Sequence, residues 1–248
     1  MIEVNQLHKS YGQQQVLHGV NLQIDKGESI VIIGGSGCGK SVLLRHIIGL
    51  VQPDEGDVKI DGQSIADLSE RELIKVRRKF GMLFQGAALF DSLTVEENVG
   101  FLLEREQTLS LAAIRETVAD ALELVDLGGT QAKKPAELSG GMKKRVGLAR
   151  AIVYKPEIIL YDEPTTGLDP VVADSIDQLV IKMRDQLNCT SIVVTHDTRS
   201  MRRVGNRVMM LHHGVIHANG TPEEIFNSTD PVVHKFVNGI ANPKDLEF

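Results

Sequence analysis

Residues Gly34–Ser41 carry the clearest chemical pattern in the chain. They read Gly-Gly-Ser-Gly-Cys-Gly-Lys-Ser and match G-x-x-x-x-G-K-S/T, between the apolar run Ser29–Ile33 and a segment with helical spacing of leucine and isoleucine. Glycines let successive backbone N–H groups turn inward toward phosphate oxygens, and the following helix adds the positive end of its dipole. The pattern predicts a nucleotide phosphate site in which Lys40 contacts the β- and γ-phosphates and Ser41 binds Mg²⁺.

Cys38 lies inside this loop and has two interpretations. A thiol at a helix N-terminus has a lowered pKa and can be reactive. A small side chain also suits a tight loop, and we favour this second interpretation.

A second candidate site follows the apolar run Ile158–Tyr161, where Asp162 and Glu163 stand next to each other. The carboxyl ends of parallel strands meet at one edge of a sheet, so we expect this pair to lie beside the phosphate loop. Adjacent side chains on a strand point to opposite sides. Asp162 can therefore coordinate Mg²⁺ while Glu163 polarises the attacking water as general base. An isolated Asp-Glu pair often marks only a solvated turn, but the phosphate loop in the same chain favours catalysis.

Short strands and amphipathic helices must position these residues, and their alternation indicates an α/β core. Val58–Ile60, which ends at an Asp-Gly turn, predicts a small antiparallel sheet together with the N-terminal strands Ile2–Leu7 and Val20–Ile24. Helix starts are predicted where capping residues precede apolar periodicity, at Ser69, Thr94 and Asp169. Apolar periodicity alone predicts a helix from about Ser110 to Leu127. Further strands are predicted at 158–160 and 191–195, and a hairpin at 207–218.

Leu138–Met142, which reads Leu-Ser-Gly-Gly-Met and opens a predicted helix, resembles the LSGGQ signature of ATP-binding-cassette (ABC) ATPases. The other motifs of the family occur in the expected order: Tyr11 at the aromatic A-loop position, Gln85 in the Q-loop, Asp169 in the D-loop and His196 at the switch position. The resemblance covers nearly the whole chain. It implies an α/β fold with a P-loop NTPase (RecA-like) core, a small antiparallel β subdomain and a helical ABC insertion.

The same resemblance sets the expected domain organisation. One ATPase domain is expected over residues 1–228, with the core and β subdomain in residues 1–85 and 155–228. The helical subdomain is expected at residues 86–154, and residues 229–248 form a C-terminal tail. Apolar residues of the tail either pack on the chain's own core or contact a partner.

Roles for individual residues follow from the resemblance. Tyr11 would stack on adenine, Gln85 would contact Mg²⁺ and the attacking water, and His196 would hydrogen-bond the γ-phosphate. Asp169 would cap its helix and shape a dimer interface. The expected catalytic residues are Lys40, Gln85, Glu163 and His196, and the expected Mg²⁺ ligands are Ser41, Gln85 and Asp162. The expected ATP-binding residues are Tyr11, Gly34, Gly35, Ser36, Gly37, Cys38, Gly39, Lys40, Ser41, Val42, Ser139, Gly140, Gly141 and Asp169.

Ser139 followed by two glycines predicts a second anion-binding helix start. One chain therefore carries two phosphate-binding surfaces. In the ABC family these surfaces meet across a head-to-tail homodimer that sandwiches two ATP molecules, each between the Lys40 loop of one protomer and the Ser139 helix of the other. The resemblance implies the same dimer for this chain.

Two residues depart from the usual family pattern: Met142 replaces the signature Gln, and Val42 stands where many relatives have Thr. Each change removes a polar contact worth about 0.5–1.5 kcal/mol, but neither removes a catalytic group. Both residues recur in the Mla (MlaF-type) phospholipid-transport ATPases, which are also similar over Phe84–Val99 and Asp230–Gly239.

The similarity to Mla-type ATPases implies phospholipid transport between inner and outer membranes. The partners it implies are an MlaE-like integral membrane permease, an MCE-domain lipid-binding protein and a STAS-domain regulator. A polar amino-acid importer ATPase is the alternative, although its signature typically keeps Gln. An ATP-gated clamp without useful turnover is a further alternative, against which Glu163 and His196 argue.

The amino-acid composition limits the possible partners and the cellular location of the protein. The 248 residues carry 27 Lys+Arg against 33 Asp+Glu, a formal charge of −6, and two cysteines. The acidic balance disfavours nucleic acid as a partner, and the basic clusters Arg77–Lys79 and Lys143–Arg145 are expected to be solvated helix faces. Few cysteines fit a reducing cytoplasm, and no apolar run has the length of a membrane span. We therefore expect a peripheral protein on the cytoplasmic side of the inner membrane.

Overall fold

The computed structural model describes residues 1–240, so the last eight residues of the predicted tail lie outside the described residues. Within that range no helix has the length and apolarity needed to cross a membrane. In chain order the elements are β1 Ile2–Tyr11, β2 Gln14–Ile24, β3 Ser29–Ile33, α1 Lys40–Ile47, β4 Glu55–Ile60, β5 Gln63–Ser64, α2 Glu70–Arg77, β6 Phe80–Leu83, α3 Val95–Glu106, α4 Leu111–Leu124, α5 Gly140–Ile152, β7 Ile158–Asp162, α6 Pro170–Leu187, β8 Thr190–Val194, α7 Thr198–Val204, β9 Arg207–His212, β10 Val215–Gly220, α8 Pro222–Phe226 and α9 Pro231–Val237.

The chain divides into two compact units. The first unit comprises Met1–Arg77 and Ile192–Phe248, and the second comprises Arg78–Ser191. The second unit is thus one continuous segment of the sequence, inserted between the two segments that form the first unit.

The first unit contains a four-stranded antiparallel sheet in the order β2-β1-β4-β5. Ile2 pairs with Ile24 on one side and Ile60 on the other, and all three side chains are buried. The hairpin predicted at the Asp-Gly turn is confirmed, because β4 pairs antiparallel with β5 across that turn. The alternation of apolar and polar residues along β2 buries one face of this sheet.

The first unit also contains the strand that leads into the phosphate loop. All five residues of β3 are buried, and β3 runs parallel to β9, which pairs antiparallel with β10. A strand buried on both faces needs a continuous apolar run, which Ser29–Ile33 provides after its first residue. The backbone N–H of Thr195 donates to the carbonyl of Ile32 at 3.2 Å, so the residue before His196 lies at the carboxyl end of β3.

The second unit pairs β6 with β7 in parallel, from Phe80 opposite Ile158 to Leu83 opposite Tyr161. Its helices α3, α4 and α5 share an apolar core, because each presents buried aliphatic residues at helical spacing. The capping box predicted at Thr94 is fully formed, and the helix predicted from about Ser110 is α4, with Ser110 as its N-cap.

The capping box predicted at Ser69 forms only in part. Helix α2 begins at Glu70, but the Ser69 hydroxyl donates to the Glu72 carboxylate at 2.6 Å. The Glu72 N–H donates instead to the Ser69 carbonyl at 3.0 Å. A hydroxyl can donate or accept, and a nearby carboxylate is a stronger acceptor than a hydroxyl oxygen is.

Candidate functional site

The phosphate loop connects β3 to α1 in the first unit. Gly34 approaches β9 so closely that a Cβ there would overlap the carbonyl oxygen of Leu211. A Cβ on Gly35 or Gly37, in contrast, would meet nothing within 4 Å. One side of the loop is therefore packed against the sheet and the other side is open. This shape fits the binding of a ligand on the open side.

Polar groups of the loop suit an anion. Within residues 1–240, the backbone N–H groups of Ser36, Gly37 and Gly39 donate to no other backbone group. Helix α1 begins at Lys40, so the positive end of its dipole lies at the loop. A helix N-terminus of this kind favours phosphate through both its N–H donors and its dipole.

The Lys40 side chain is buried, with 8% of its surface exposed. Its Nζ donates to the carbonyls of Gly34 at 2.8 Å and Gly35 at 2.9 Å. These two bonds hold the ammonium over the loop while one of its three protons is left for another acceptor. The Lys40 ammonium, which is predicted to bind phosphate, is therefore held at the loop by the loop's own backbone carbonyls.

Cys38 is half-buried, and burial raises the pKa of its thiol despite the opposing charge of Lys40. A raised pKa lowers the thiolate fraction at neutral pH, and the thiolate is the reactive form. The environment favours the interpretation of Cys38 as a small loop residue. Ser41 and Val42 are half-buried in the first turn of α1.

Two further predicted residues of the first unit are accessible to a ligand. The Tyr11 side chain is 49% exposed at the end of β1, so it is not a core-packing residue. His196 is exposed and lies between Thr195 and Asp197, whose carboxylate caps α7 by accepting the Arg199 N–H at 2.8 Å.

Asp162 is the last residue of β7 in the second unit and Glu163 follows it; both residues are buried, with 7% of Asp162 and 8% of Glu163 exposed. Glu163 has a positive φ of 51°, a strained conformation for a residue with a side chain. The Thr166 hydroxyl donates to Glu163 Oε2 at 2.7 Å. This bond fixes the direction of the carboxylate that is predicted to act as general base.

Lys144 is the residue near this pair that sequence reasoning missed. The prediction that Lys143–Arg145 forms a solvated face is wrong for Lys144, of which only 5% is exposed. Its Nζ donates to the Glu163 carbonyl at 3.0 Å and to the Gln85 carbonyl by a short bond. Burial lowers the pKa of Lys144, while the charges of Glu163 and Asp162 oppose this shift. No sequence signal separated Lys144 from its neighbours, because its partners are backbone groups far away in the chain.

The Q-loop follows β6 in the same unit. Gln85 is exposed, and the next turn contains two consecutive residues with positive φ, Ala87 at 60° and Ala88 at 48°. Arg150 of α5 donates to the carbonyls of these two residues at 2.6 and 2.7 Å. The strained turn is therefore held by a guanidinium whose fork reaches two adjacent acceptors.

The signature segment starts α5, with Ser139 as its N-cap. The Ser139 hydroxyl accepts the Met142 N–H at 3.3 Å, as its sequence predicts. Ser139 and Gly140 are exposed, so the N-terminus of α5 is accessible to a ligand. Gly141 is packed instead, because a Cβ there would lie 2.5 Å from Val172 Cγ1 in α6.

Asp169 caps α6 in the second unit. Its Oδ1 accepts the N–H groups of Val171 at 3.0 Å and Val172 at 3.1 Å, and its side chain is exposed. The predicted cap is therefore formed. The exposed position also leaves Asp169 accessible to a partner.

Comparison with known proteins agrees with this geometry. A family model described as ABC transporter matches residues 17–166. The chain is 43% identical over 238 residues to the probable ribonucleotide transport ATP-binding protein mkl of Mycobacterium leprae (strain TN), with 96% of this chain and 69% of the relative covered. It spans 66% of the length of the corresponding Mycobacterium tuberculosis protein.

This chain aligns with a larger share of a second relative. The chain is 40% identical over 239 residues to the intermembrane phospholipid transport system ATP-binding protein MlaF of Haemophilus influenzae (strain ATCC 51907 / DSM 11121 / KW20 / Rd), with 96% of this chain and 90% of MlaF covered. Among solved structures, the dimeric post-hydrolysis state of an ATP-binding cassette bound to ADP and Pi matches with a TM-score of 0.83 and 36% identity. That match covers 90% of this chain and 99% of the other chain.

The fold, the phosphate loop and the acidic strand end define an α/β ATPase of the P-loop NTPase class. The chain belongs to the ABC transporter family, as a nucleotide-binding subunit that binds and hydrolyses ATP. The predicted family and fold class are thereby confirmed.

Proposed function

We propose that this subunit powers the movement of phospholipid between membranes. The observation that carries the proposal is the similarity to MlaF, which extends over nearly the full length of both chains. The resemblance of the motifs around Met142 and Val42 to those of Mla-type ATPases supports the same substrate class. The mycobacterial relative is named for ribonucleotide transport, so ribonucleotide is the competing cargo to be tested.

Within the subunit, the loop binds the ATP phosphates through the N–H groups of Ser36, Gly37 and Gly39. Lys40 neutralises charge on the β- and γ-phosphates, and its present carbonyl partners keep the ammonium in place before ATP arrives. Tyr11 stacks on the adenine ring, and its exposure makes this contact accessible. His196 donates a hydrogen bond to the γ-phosphate.

Glu163 acts as the general base for the attacking water, and Thr166 fixes the orientation of its carboxylate. Ser41, Gln85 and Asp162 supply hydroxyl, amide and carboxylate oxygens, which are the donor types that suit Mg²⁺. Mg²⁺, when bound with ATP, would neutralise charge on the transferred phosphoryl group.

The working assembly that we propose is a homodimer with an integral membrane permease. Each ATP lies between the Lys40 loop of one protomer and the partner's Ser139 helix, whose exposed N-terminus and dipole suit a phosphate. Asp169 contributes to this interface. An MlaE-like permease, an MCE-domain lipid-binding protein and a STAS-domain regulator complete the system. The subunit would then sit peripherally on the cytoplasmic face of the inner membrane.

The domain organisation that we propose keeps one ATPase domain over residues 1–228. Residues 86–154 form its helical part, and residues 1–85 and 155–228 form its core and β subdomain. In the described part of the tail, Val233 and Val237 of α9 are buried within the chain itself.

The decisive experiment uses the complex that co-purifies with the tagged full chain from native membranes. Reconstituted into vesicles, the complex should transfer a fluorescent phospholipid to acceptor vesicles in the presence of Mg²⁺ and ATP. The same complex carrying Glu163→Gln should transfer none. ATPase stimulation by ribonucleotide or by a polar amino acid, without phospholipid transfer, would refute the proposal. ATP binding without hydrolysis by the wild-type complex would favour the clamp alternative.

A further inference from the structure

Lys144 lies where the pairing of β6 with β7 ends. The last paired residues are Leu83 and Tyr161, and the strands then continue into the Q-loop and into the strained turn at Glu163. Gln85 and Glu163 each follow the last pair by two residues, and their carbonyls are the two acceptors of Lys144 Nζ. Beyond the last backbone pair of β6 and β7, the Lys144 side chain therefore connects the two chain segments.

An ammonium suits this place for physical reasons. Burying a cation is unfavourable unless several acceptors compensate it, and here two carbonyls do so, with the carboxylates of Asp162 and Glu163 adding favourable charge. A backbone held at positive φ by a residue other than glycine persists only where surrounding contacts over-determine it. Lys144 provides such a contact at Glu163.

Helix α5 holds the Q-loop at a second place as well. Arg150 binds the carbonyls of Ala87 and Ala88, so the two cations Lys144 and Arg150 attach one helix to three carbonyls of the Q-loop segment. The same helix begins at the signature residue Ser139. A single rigid element thus joins the signature segment, the Q-loop and the turn of the general base.

We propose that Lys144 is a positioning residue for ATP hydrolysis: its ammonium fixes the backbone of Gln85 and Glu163 relative to each other, so that both side chains are held ready for the attacking water. This inference rests on the proposed roles of Gln85 and Glu163. Lys144 itself contacts neither ATP nor the attacking water, and it acts through the two carbonyls that it binds.

The test compares Lys144→Met with Lys143→Met in the purified full chain. Both variants remove one ammonium from adjacent positions of α5, but only Lys144 binds the two carbonyls. We expect Lys144→Met to lower kcat by about 10- to 100-fold with KM for ATP within about threefold, because small misplacements of catalytic groups have effects of this size. Lys143→Met should keep the wild-type kcat. Lys144→Arg, which retains a cation with several donors, should recover part of the lost rate.

A local measurement separates positioning from general destabilisation. The Ala87 N–H donates to the Phe84 carbonyl within the Q-loop, and its hydrogen exchange should become at least about tenfold faster in Lys144→Met while the central amides of α5 keep their protection. If Lys144→Met does not fold, Lys144→Gln, which keeps a donor on a shorter side chain, takes its place. A folded variant with unchanged kcat, or with a raised KM at unchanged kcat, would overturn the inference.

The Glu163→Gln variant distinguishes a failure of the proposed role of Glu163 from a failure of the inference about Lys144. If this substitution leaves hydrolysis intact, the proposed role of Glu163 fails. If it abolishes hydrolysis while Lys144→Met leaves kcat unchanged, only the positioning role of Lys144 fails.

Discussion

Replacing Gly141 with alanine tests the packing of the signature helix against α6. The added Cβ would lie 2.5 Å from Val172 Cγ1, which is closer than carbon atoms tolerate. Val172 has little freedom to move aside, because a valine in a helix has one strongly preferred χ1 rotamer. The preceding residue offers a matched control, since a Cβ on Gly140 would lie 3.4 Å from Leu168 Cδ2, an ordinary contact distance.

The magnitude follows from two opposing effects. Alanine is favoured over glycine in a helix by about 0.8–1.0 kcal/mol, and overpacking a well-packed site costs about 1–3 kcal/mol. The helix effect applies to both variants and cancels in their comparison. Gly141→Ala should therefore have a free energy of unfolding about 1–3 kcal/mol below that of Gly140→Ala. For a chain of this size, each kcal/mol corresponds to about 2–4 °C in the melting temperature.

Urea unfolding of the two variants, followed by circular dichroism, measures this difference directly. The double variant Gly141→Ala with Val172→Ala supplies a second test, because removing the Val172 methyl groups should relieve the clash and make the two changes non-additive by about 1 kcal/mol or more. Equal unfolding midpoints for Gly140→Ala and Gly141→Ala would refute the reasoning, as would strict additivity with Val172→Ala.

Three further substitutions have defined outcomes. Thr166→Val removes the hydroxyl that orients Glu163; a hydrogen bond to a charged group contributes about 1.5–3 kcal/mol, so steady-state kcat should fall about 10- to 100-fold, and an unchanged kcat would contradict the orienting role. Lys40→Met should abolish binding of a fluorescent ATP analogue in equilibrium titration, and retained affinity would exclude Lys40 from the phosphate site. Glu97→Gln concerns pH: the N–H and hydroxyl of Thr94 hold the pKa of Glu97 below its ordinary value of 4.5. The stabilisation by this carboxylate is therefore complete above pH 4.5 and is lost as the pH falls through the lowered pKa. Wild type should lose more stability than Glu97→Gln between pH 7 and pH 3, and equal losses in urea titrations would contradict this.

Features set by local chemistry could be predicted from the sequence. The phosphate loop between β3 and α1, the cap of α6 at Asp169 and the box at Thr94 all depend on residues within a few positions of each other. Short-range hydrogen bonds and glycine conformations determine these features, and both are visible in the order of residue types. The same is true of Ser139, which caps α5 through a residue three positions away.

Features set by distant contacts could not be predicted. Lys144 stands among basic residues typical of a solvated helix face, yet its acceptors lie 59 and 19 residues away. Their positions depend on where β6 and β7 stop pairing. The sequence does not predict the short strand β6, because four residues with a glycine among them show no clear alternation of apolar and polar residues. The strain at Glu163 has the same origin, since tertiary contacts maintain it.

The ends of the second unit have a consequence for the order of folding. Glu157 donates its N–H to the carbonyl of Lys79 and accepts the N–H of Thr190 on its own carbonyl, so residues one position inside each end of this continuous segment bind the same residue. Pairing β3 with β9 joins the two pieces of the first unit across the whole inserted segment, and the entropic cost of closing that loop rises with its length. Once the inserted segment has folded, its ends are held together and the loop becomes short. We therefore expect the second unit to acquire protected amides before β9 does in pulse-labelling hydrogen exchange, with simultaneous protection as the result that would contradict this order.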